Sequence, residues 1–227
     1  TMSEYVVRQD LGFYEYTGYF TNGEPHGRGV AVWRDGDRYE GGWKEGRYHG
    51  VGVYHWSDGR RYEGGWREHC PHGEGLYCSK DGRRFQGSWT KNEIEEGVLT
   101  EADGTCWRFR LRGPKGLDSL AASEFASKER MEGPVAPPRE VLDARAAAKD
   151  VRDTAAQRAP EVAQELAEHH REWLMLGSAM NVTWGAKETE LKGKFFLHIV
   201  VMTTGGGREG KGSGEKIDAA RCGREAS

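Results

Sequence analysis

The chain has 227 residues, 33 of them glycine, with 30% charged residues and a formal net charge of -3. That balance gives no electrostatic footprint for nucleic acid, and a mean hydropathy of -0.81 with so much glycine argues against one large globular core. No apolar run approaches the ~20 residues of a membrane-spanning helix, no signal peptide opens the chain, and Thr1 ahead of Met2 suggests a fragment or an artificial start. Four unevenly spaced cysteines (Cys70, Cys78, Cys106, Cys222) fit a reducing compartment, so a cytoplasmic protein, peripheral to a membrane or the cytoskeleton, is expected.

Residues 1–15 are read as an N-terminal cap, with a strand between Tyr5 and Tyr14. A unit of 23 residues then recurs from Tyr16, Tyr39 and Tyr62, the second copy reading YEGGWKEGRYHGVGVYHWSDGRR and the third YEGGWREHCPHGEGLYCSKDGRR. A period of this length marks a repeat array. Each unit divides into two strand-like runs, such as Tyr39 to Trp43 and Gly52 to Trp56. Loops ending at His26-Gly27, His49-Gly50 and His72-Gly73 alternate with tighter ones at Asp35-Gly36, Asp58-Gly59 and Asp81-Gly82, where glycine tolerates positive φ. The expected fold is a mainly β repeat, a single-layer antiparallel meander, followed by an α-helical C-terminal region.

Directly opposed residues share one face of a sheet. Setting Trp43 against Gly52 places Tyr39 opposite Trp56; across the Asp-Gly turn Tyr54 meets Gly64 and Gly52 meets Trp66. One row then alternates rings and glycines: Phe20, Gly29, Trp43, Gly52, Trp66, Gly75, Trp89. Packing under rings explains those glycines without a ligand. The array is bounded at 16–113, with repeats at 16–38, 39–61 and 62–84, a degenerate fourth at 85–106 and a terminal strand at 107–113. Decay of the pattern at the end suits a capping repeat.

These residues resemble the MORN repeat, whose usual form is close to YEGEWKNGKRHGKGVYTYADGSR. Tyr39, Glu40, Gly41, Trp43, Gly46, His49, Gly50, Gly52, Val53, Tyr54, Asp58, Gly59 and Arg61 stand in place, while Phe20, His69, Ser79 and Asn92 depart from the pattern. The resemblance implies an extended, twisted β-meander used for protein–protein contact, oligomerisation and phospholipid association. Such arrays also precede catalytic domains, as in plant phosphatidylinositol phosphate kinases and a SET-domain methyltransferase. Neither signature is recognised here, and a regulatory fragment of such an enzyme is an alternative reading.

After Gly113-Pro114 the composition shifts to Ala, Glu, Arg and Lys, and 114–178 reads as helical. A first helix is expected from Asp118 or Ser119 to Met131, ended by Gly133-Pro134 and Pro137-Pro138. A second covers Arg139 to Gln157, with a stripe of Val141, Ala144, Ala148, Val151 and Ala155. A third opens at Pro160 and runs to Leu176, with Val162, Leu166, Trp173 and Leu174 on its apolar face. The helices are expected to cap the sheet or pack on each other. Residues 179–227 read as a low-complexity tail, in which KFFLHIVV, ahead of the glycine-rich stretch from Thr203, is a candidate edge strand.

No catalytic arrangement and no cofactor site is recognised. Gly205 to Lys211 satisfies GxxxxGK, but Gly212 replaces the Ser or Thr that the phosphate-binding loop requires. His69, Cys70, His72 and Cys78 are read as too spread along the strands to share a metal. The chain is therefore expected to be a non-catalytic scaffold or adaptor that binds a protein partner or itself. Its aromatic face would comprise Tyr39, Trp43, Tyr54, Trp56, Tyr62, Trp66, Tyr77, Phe85 and Trp89, residue types that interfaces favour. The alternative surface is Arg38, Arg61 and Arg84, recurring about 9.6 Å apart as a ladder for anionic phospholipid, with Asp35, Asp58 and Asp81 beside it as neutralising partners.

Overall fold

The structure, a computed structural model, describes residues 3–122 and 124–179. The GxxxxGK segment, the KFFLHIVV run and the glycine-rich tail lie outside the described residues. Those described fall into two units, 3–162 and 163–179. A single antiparallel sheet follows chain order through β1 (Ser3–Asp10), β2 (Tyr14–Thr21), β3 (Glu24–Trp33), β4 (Arg38–Lys44), β5 (Arg47–His55), β6 (Arg61–Arg67), β7 (Cys70–Cys78), β8 (Arg84–Trp89), β9 (Glu93–Thr100), β10 (Cys106–Gly116) and β11 (Phe125–Arg130). A 3-10 turn at Leu117–Ala122 and helix α1 (Arg139–Ala179) complete the described structure. The meander expected from the repeats is thus present, and it extends beyond them at both ends.

The turns sit differently from the expected ones. His26-Gly27, His49-Gly50 and His72-Gly73 lie inside β3, β5 and β7, where positive φ at Gly27, Gly50 and Gly73 accompanies a shift in register. The reversals themselves are two-residue turns with positive φ at both positions, such as Glu45-Gly46 at 51° and 73°. This conformation matches the right-handed twist of the flanking strands. Across the Asp-Gly side, Trp56 N bonds Arg60 O and Gly59 N bonds Trp56 O, both at 3.0 Å, closing a three-residue loop.

Tighter closure moves the pairing two residues from the expected register. Gly41 faces Gly52, Tyr39 faces Tyr54, and Gly52 faces Gly64. Trp43 lies opposite Gly27 on one side and Tyr48 on the other. A two-residue shift preserves which face each side chain occupies, so the expected faces hold while the expected partners do not.

The C-terminal region departs further. Residues expected to form a helix from 118 to 131 instead form the 3-10 turn and β11. Leu117 and Leu120 are buried in the aromatic cluster, and β11 pairs with the open edge of β10, with Met131 N adding a bond to Cys106 O. Satisfying an exposed edge outweighs the modest helix propensity of FASKER. The second and third expected helices are one, α1, with Pro160 inside it. Pro160 forfeits one backbone hydrogen bond, and the Ala- and Glu-rich turns on either side continue the helix.

Candidate functional site

Strand alternation gives the sheet two faces with different chemistry. On the first, a row of glycines crosses seven strands: Gly18, Gly29, Gly41, Gly52, Gly64, Gly75, Gly87. The neighbouring row carries Tyr16, Ala31, Tyr39, Tyr54, Tyr62, Tyr77 and Phe85. The tyrosine that opens each repeat leans over the glycines. Tyr39 Oη donates to Gly42 O at 2.9 Å, Tyr62 Oη to Gly65 O at 3.2 Å, and Tyr16 Oη to Tyr19 O at 3.1 Å. A Cβ on Gly52 would fall 2.5 Å from Tyr39 Oη, so this close approach requires glycine.

Each tryptophan spans two repeats. Trp66 lies edge-on to Tyr62 of its own repeat at 5.0 Å and to Tyr39 of the preceding one at 5.4 Å; Trp43 meets Tyr39 and Tyr16 in the same way, both at 5.2 Å. The indole N–H groups of Trp43, Trp66 and Trp89 donate to the carbonyls of Gly29, Gly52 and Gly75 at 3.1, 3.1 and 3.3 Å. Ring polar atoms that an interface would use therefore already tie one strand to another. Burial also pushes the Tyr39, Tyr48 and Tyr62 phenols well above their ordinary range.

The nine aromatic residues expected to receive a partner are all on this face, and all are between 0% and 7% exposed. They form the core rather than an open surface, because rings from neighbouring repeats, Tyr48, Trp33 and the two leucines of the 3-10 turn cover one another. The sequence does not single out Asp37, and it presents His69 only as a departure from the repeat pattern and a discounted metal ligand. Buried Asp37 accepts from Tyr54 Oη at 2.8 Å and from Ser57 N at 2.9 Å, linking the first and second Asp-Gly loops. His69, in the left-handed region at φ 67°, packs edge-on against Tyr48 at 4.6 Å. Burial and the nearby Arg47 charge hold its imidazole down at about 4.

The opposite face bears α1. Here a row alternates apolar and acidic or amide residues: Val30, Glu40, Val53, Glu63, Leu76, Gln86, Val98. Glu40 and Glu63 are 1% and 3% exposed, and each is held by two arginines. Glu63 pairs with Arg61 at 3.0 Å and with Arg145 of α1 at 2.7 Å; Glu40 pairs with Arg38 and with Arg152 of α1. Between them Ala144 and Ala148 pack on Val53 and Val51. The stripe of small residues noted in the sequence is thus explained by a helix lying directly on the sheet.

Contacts of α1 run from β7, where Glu140 accepts from Glu74 N at 2.8 Å, to β1, where the Arg158 guanidinium lies 5.5 Å over the Tyr5 ring. The eighteen residue steps from Glu140 to Arg158 span about 27 Å of helix, and the six strand spacings crossed span about 29 Å. Seven helical residues, about 10.5 Å, match two strands, about 9.6 Å. That match is why Arg145 and Arg152 meet equivalent glutamates in successive repeats. The repeat glutamate and the seven-residue arginine spacing are both visible in the sequence, but nothing local connects them.

The ladder of Arg38, Arg61 and Arg84 lies beside α1 on this same face, in a row interleaved with His55 and Cys78. Its neutralising partners are Glu40 and Glu63; Asp58 and Asp81 pair instead with Arg60 and Arg83. Exposed Arg84 makes no ion pair with any described residue. Among the described residues no group of three or more His, Cys, Asp or Glu is placed to hold a metal, and no helix is long and apolar enough to cross a membrane.

A sheet in which every repeat adds two strands and stacks only on its neighbours defines an open β-meander repeat protein. The model of the MORN repeat family matches residues 16–38, 39–60 and 62–83 in succession, and the chain is a MORN-repeat protein. Such repeats are non-catalytic modules of protein or membrane interaction. No curated protein matches the chain.

Proposed function

We propose that the chain is a non-catalytic scaffold whose sheet holds helical segments, from other proteins or a second copy, on the face opposite its aromatic core. The observation that carries this reading is α1 itself. Its arginines enter the repeat glutamates in register, and its alanines let it lie flat on the valines. A cytoplasmic setting at a membrane surface or the cytoskeleton belongs to the same proposal.

Exchange of the helix tests it. In an Arg145→Glu/Arg152→Glu chain, α1 is expected to lift from Glu63 and Glu40 while the aromatic core keeps the sheet folded. A labelled peptide of residues 139–158 should then bind in fluorescence anisotropy, and a peptide with glutamate at both arginine positions should not. If neither peptide binds the helix-released chain, or both bind equally, the scaffold reading is wrong.

A second reading is favoured by two arginines for each buried glutamate and by exposed Arg84, which makes no ion pair with any described residue. On this reading Arg38, Arg61 and Arg84 meet anionic phospholipid head groups. Vesicle co-sedimentation that weakens with salt supports it; absent or salt-insensitive binding removes the electrostatic version.

A further inference from the structure

We propose, resting on the scaffold reading and deepening it, that the arginine row beside α1 is the docking strip for a second, acidic helix. That helix carries carboxylates at seven-residue spacing. The sheet imposes its pitch on whatever crosses it: side chains two strands apart stand about 9.6 Å apart, close to the rise of two helical turns. The chain already uses this match once, in the pairing of Arg145 and Arg152 with Glu63 and Glu40. One row further toward the Asp-Gly turns, the same pitch recurs with the opposite sign, at Arg38, Arg61 and Arg84.

This row has room and charge for an occupant. The Arg38 and Arg61 side chains are each 40% exposed, and Arg84 is exposed and makes no ion pair with any described residue. With Arg145 and Arg152 alongside, four guanidiniums share two carboxylates, Glu40 and Glu63, and Arg84 adds a fifth positive charge to the row. His55, between Arg38 and Arg61, is held toward its neutral form by burial first, so the row's charge resides on its arginines. Packed helices lie 8–10 Å apart. The arginine row is two residues along the strand, about 6.8 Å, from the Glu40–Val53–Glu63 row under α1, so a second helix packed beside α1 is centred on the Asp-Gly side of the row and the arginines reach outward to it.

At the β3 end Arg38 faces Val32, which is 42% exposed, and the row then continues to Glu15 of β2, which pairs with Arg8. The fitting partner is therefore a helix with glutamates at three successive heptad positions. It carries one apolar residue three or four positions beyond the glutamate that meets Arg38.

The test uses the full chain and a stapled helical peptide with three glutamates at seven-residue spacing and a terminal leucine in an alanine–glutamine background. Anisotropy titration should show binding that weakens with salt. A peptide of the same composition with its glutamates at five-residue spacing should bind at least about tenfold more weakly. Arg84→Glu should cost at least about tenfold in affinity without changing the melting temperature, since Arg84 is exposed and pairs with no described residue; Arg61→Lys should retain most of the binding.

Equal binding of both peptides, or no effect of Arg84→Glu, overturns the proposal. So does capture of the chain by phosphatidylserine vesicles with no peptide binding, which would make the row a membrane surface. If the acidic peptide fails while the 139–158 peptide still exchanges onto the helix-released chain, the arginine-row proposal alone falls. Failure of both peptides removes the scaffold reading with it.

Discussion

On the aromatic face each ring is held by residues of its own repeat and the one before it: Trp66 by Tyr62, Tyr39 and the Gly52 carbonyl. On the opposite face the buried glutamates are satisfied from far along the chain, Glu63 by Arg145 and Glu40 by Arg152, at separations of 82 and 112 residues. The first arrangement propagates from repeat to repeat and is joined just past the array by Leu117 and Leu120. The second joins the array to a separate segment through partly exposed ion pairs and the buried side chains of Val141, Ala144, Ala147, Ala148 and Val151. Release of that segment is expected to leave the aromatic face of the sheet packed. The contrast therefore separates what keeps the sheet folded from what the sheet is able to hold.

The largest effect expected on this contrast comes from Trp66→Ala. Removing a fully packed ring that bridges two repeats should cost about 3–5 kcal/mol, read by denaturant unfolding. A cost below about 1 kcal/mol would show that the rings do not carry the fold. Acid should weaken the same face next. Folded His69 stays neutral down to about 4, whereas in the unfolded chain it protonates near 6.5. Stability is thus complete above pH 6.5 and falls as the pH drops toward 4, by up to about 3 kcal/mol. His69→Asn, copying Asn92 at the equivalent left-handed position, should flatten that part of the pH profile of the melting temperature.

On the other face, Glu63→Gln should cost about 1–2 kcal/mol, less than a fully buried pair because both arginines are partly exposed. Hydrogen exchange localises the loss. Protection should fall over residues 139–158 and hold in β4 to β8, and a uniform loss would mean that the two faces are not separable. The smallest change is Lys149→Ala, which removes an exposed pair with Asp153 on the outer side of α1. Less than about 0.5 kcal/mol is expected, and a larger value would indicate that helix propensity rather than docking sets the stability of α1.

The sequence by itself determined the array, its period, its strands and the division of side chains between two faces. Those properties are local: alternation has a period of two, so Tyr39, Gly41 and Trp43 share a side in any register. It did not determine the pairing. Moving Gly52 from opposite Trp43 to opposite Gly41 leaves every face intact, and turn geometry makes that choice. Nor did FASKER disclose that it would close the edge of β10, because its own propensities do not include the unpaired strand beside it. Aromatic enrichment suggested a surface for partners, and only the packing of one repeat against the next showed those rings to be the core. The arginines of α1 and the glutamates of the repeats were both in plain view. Their meeting depends on a helical rise matching a strand spacing across a long loop, which the tertiary structure alone decides.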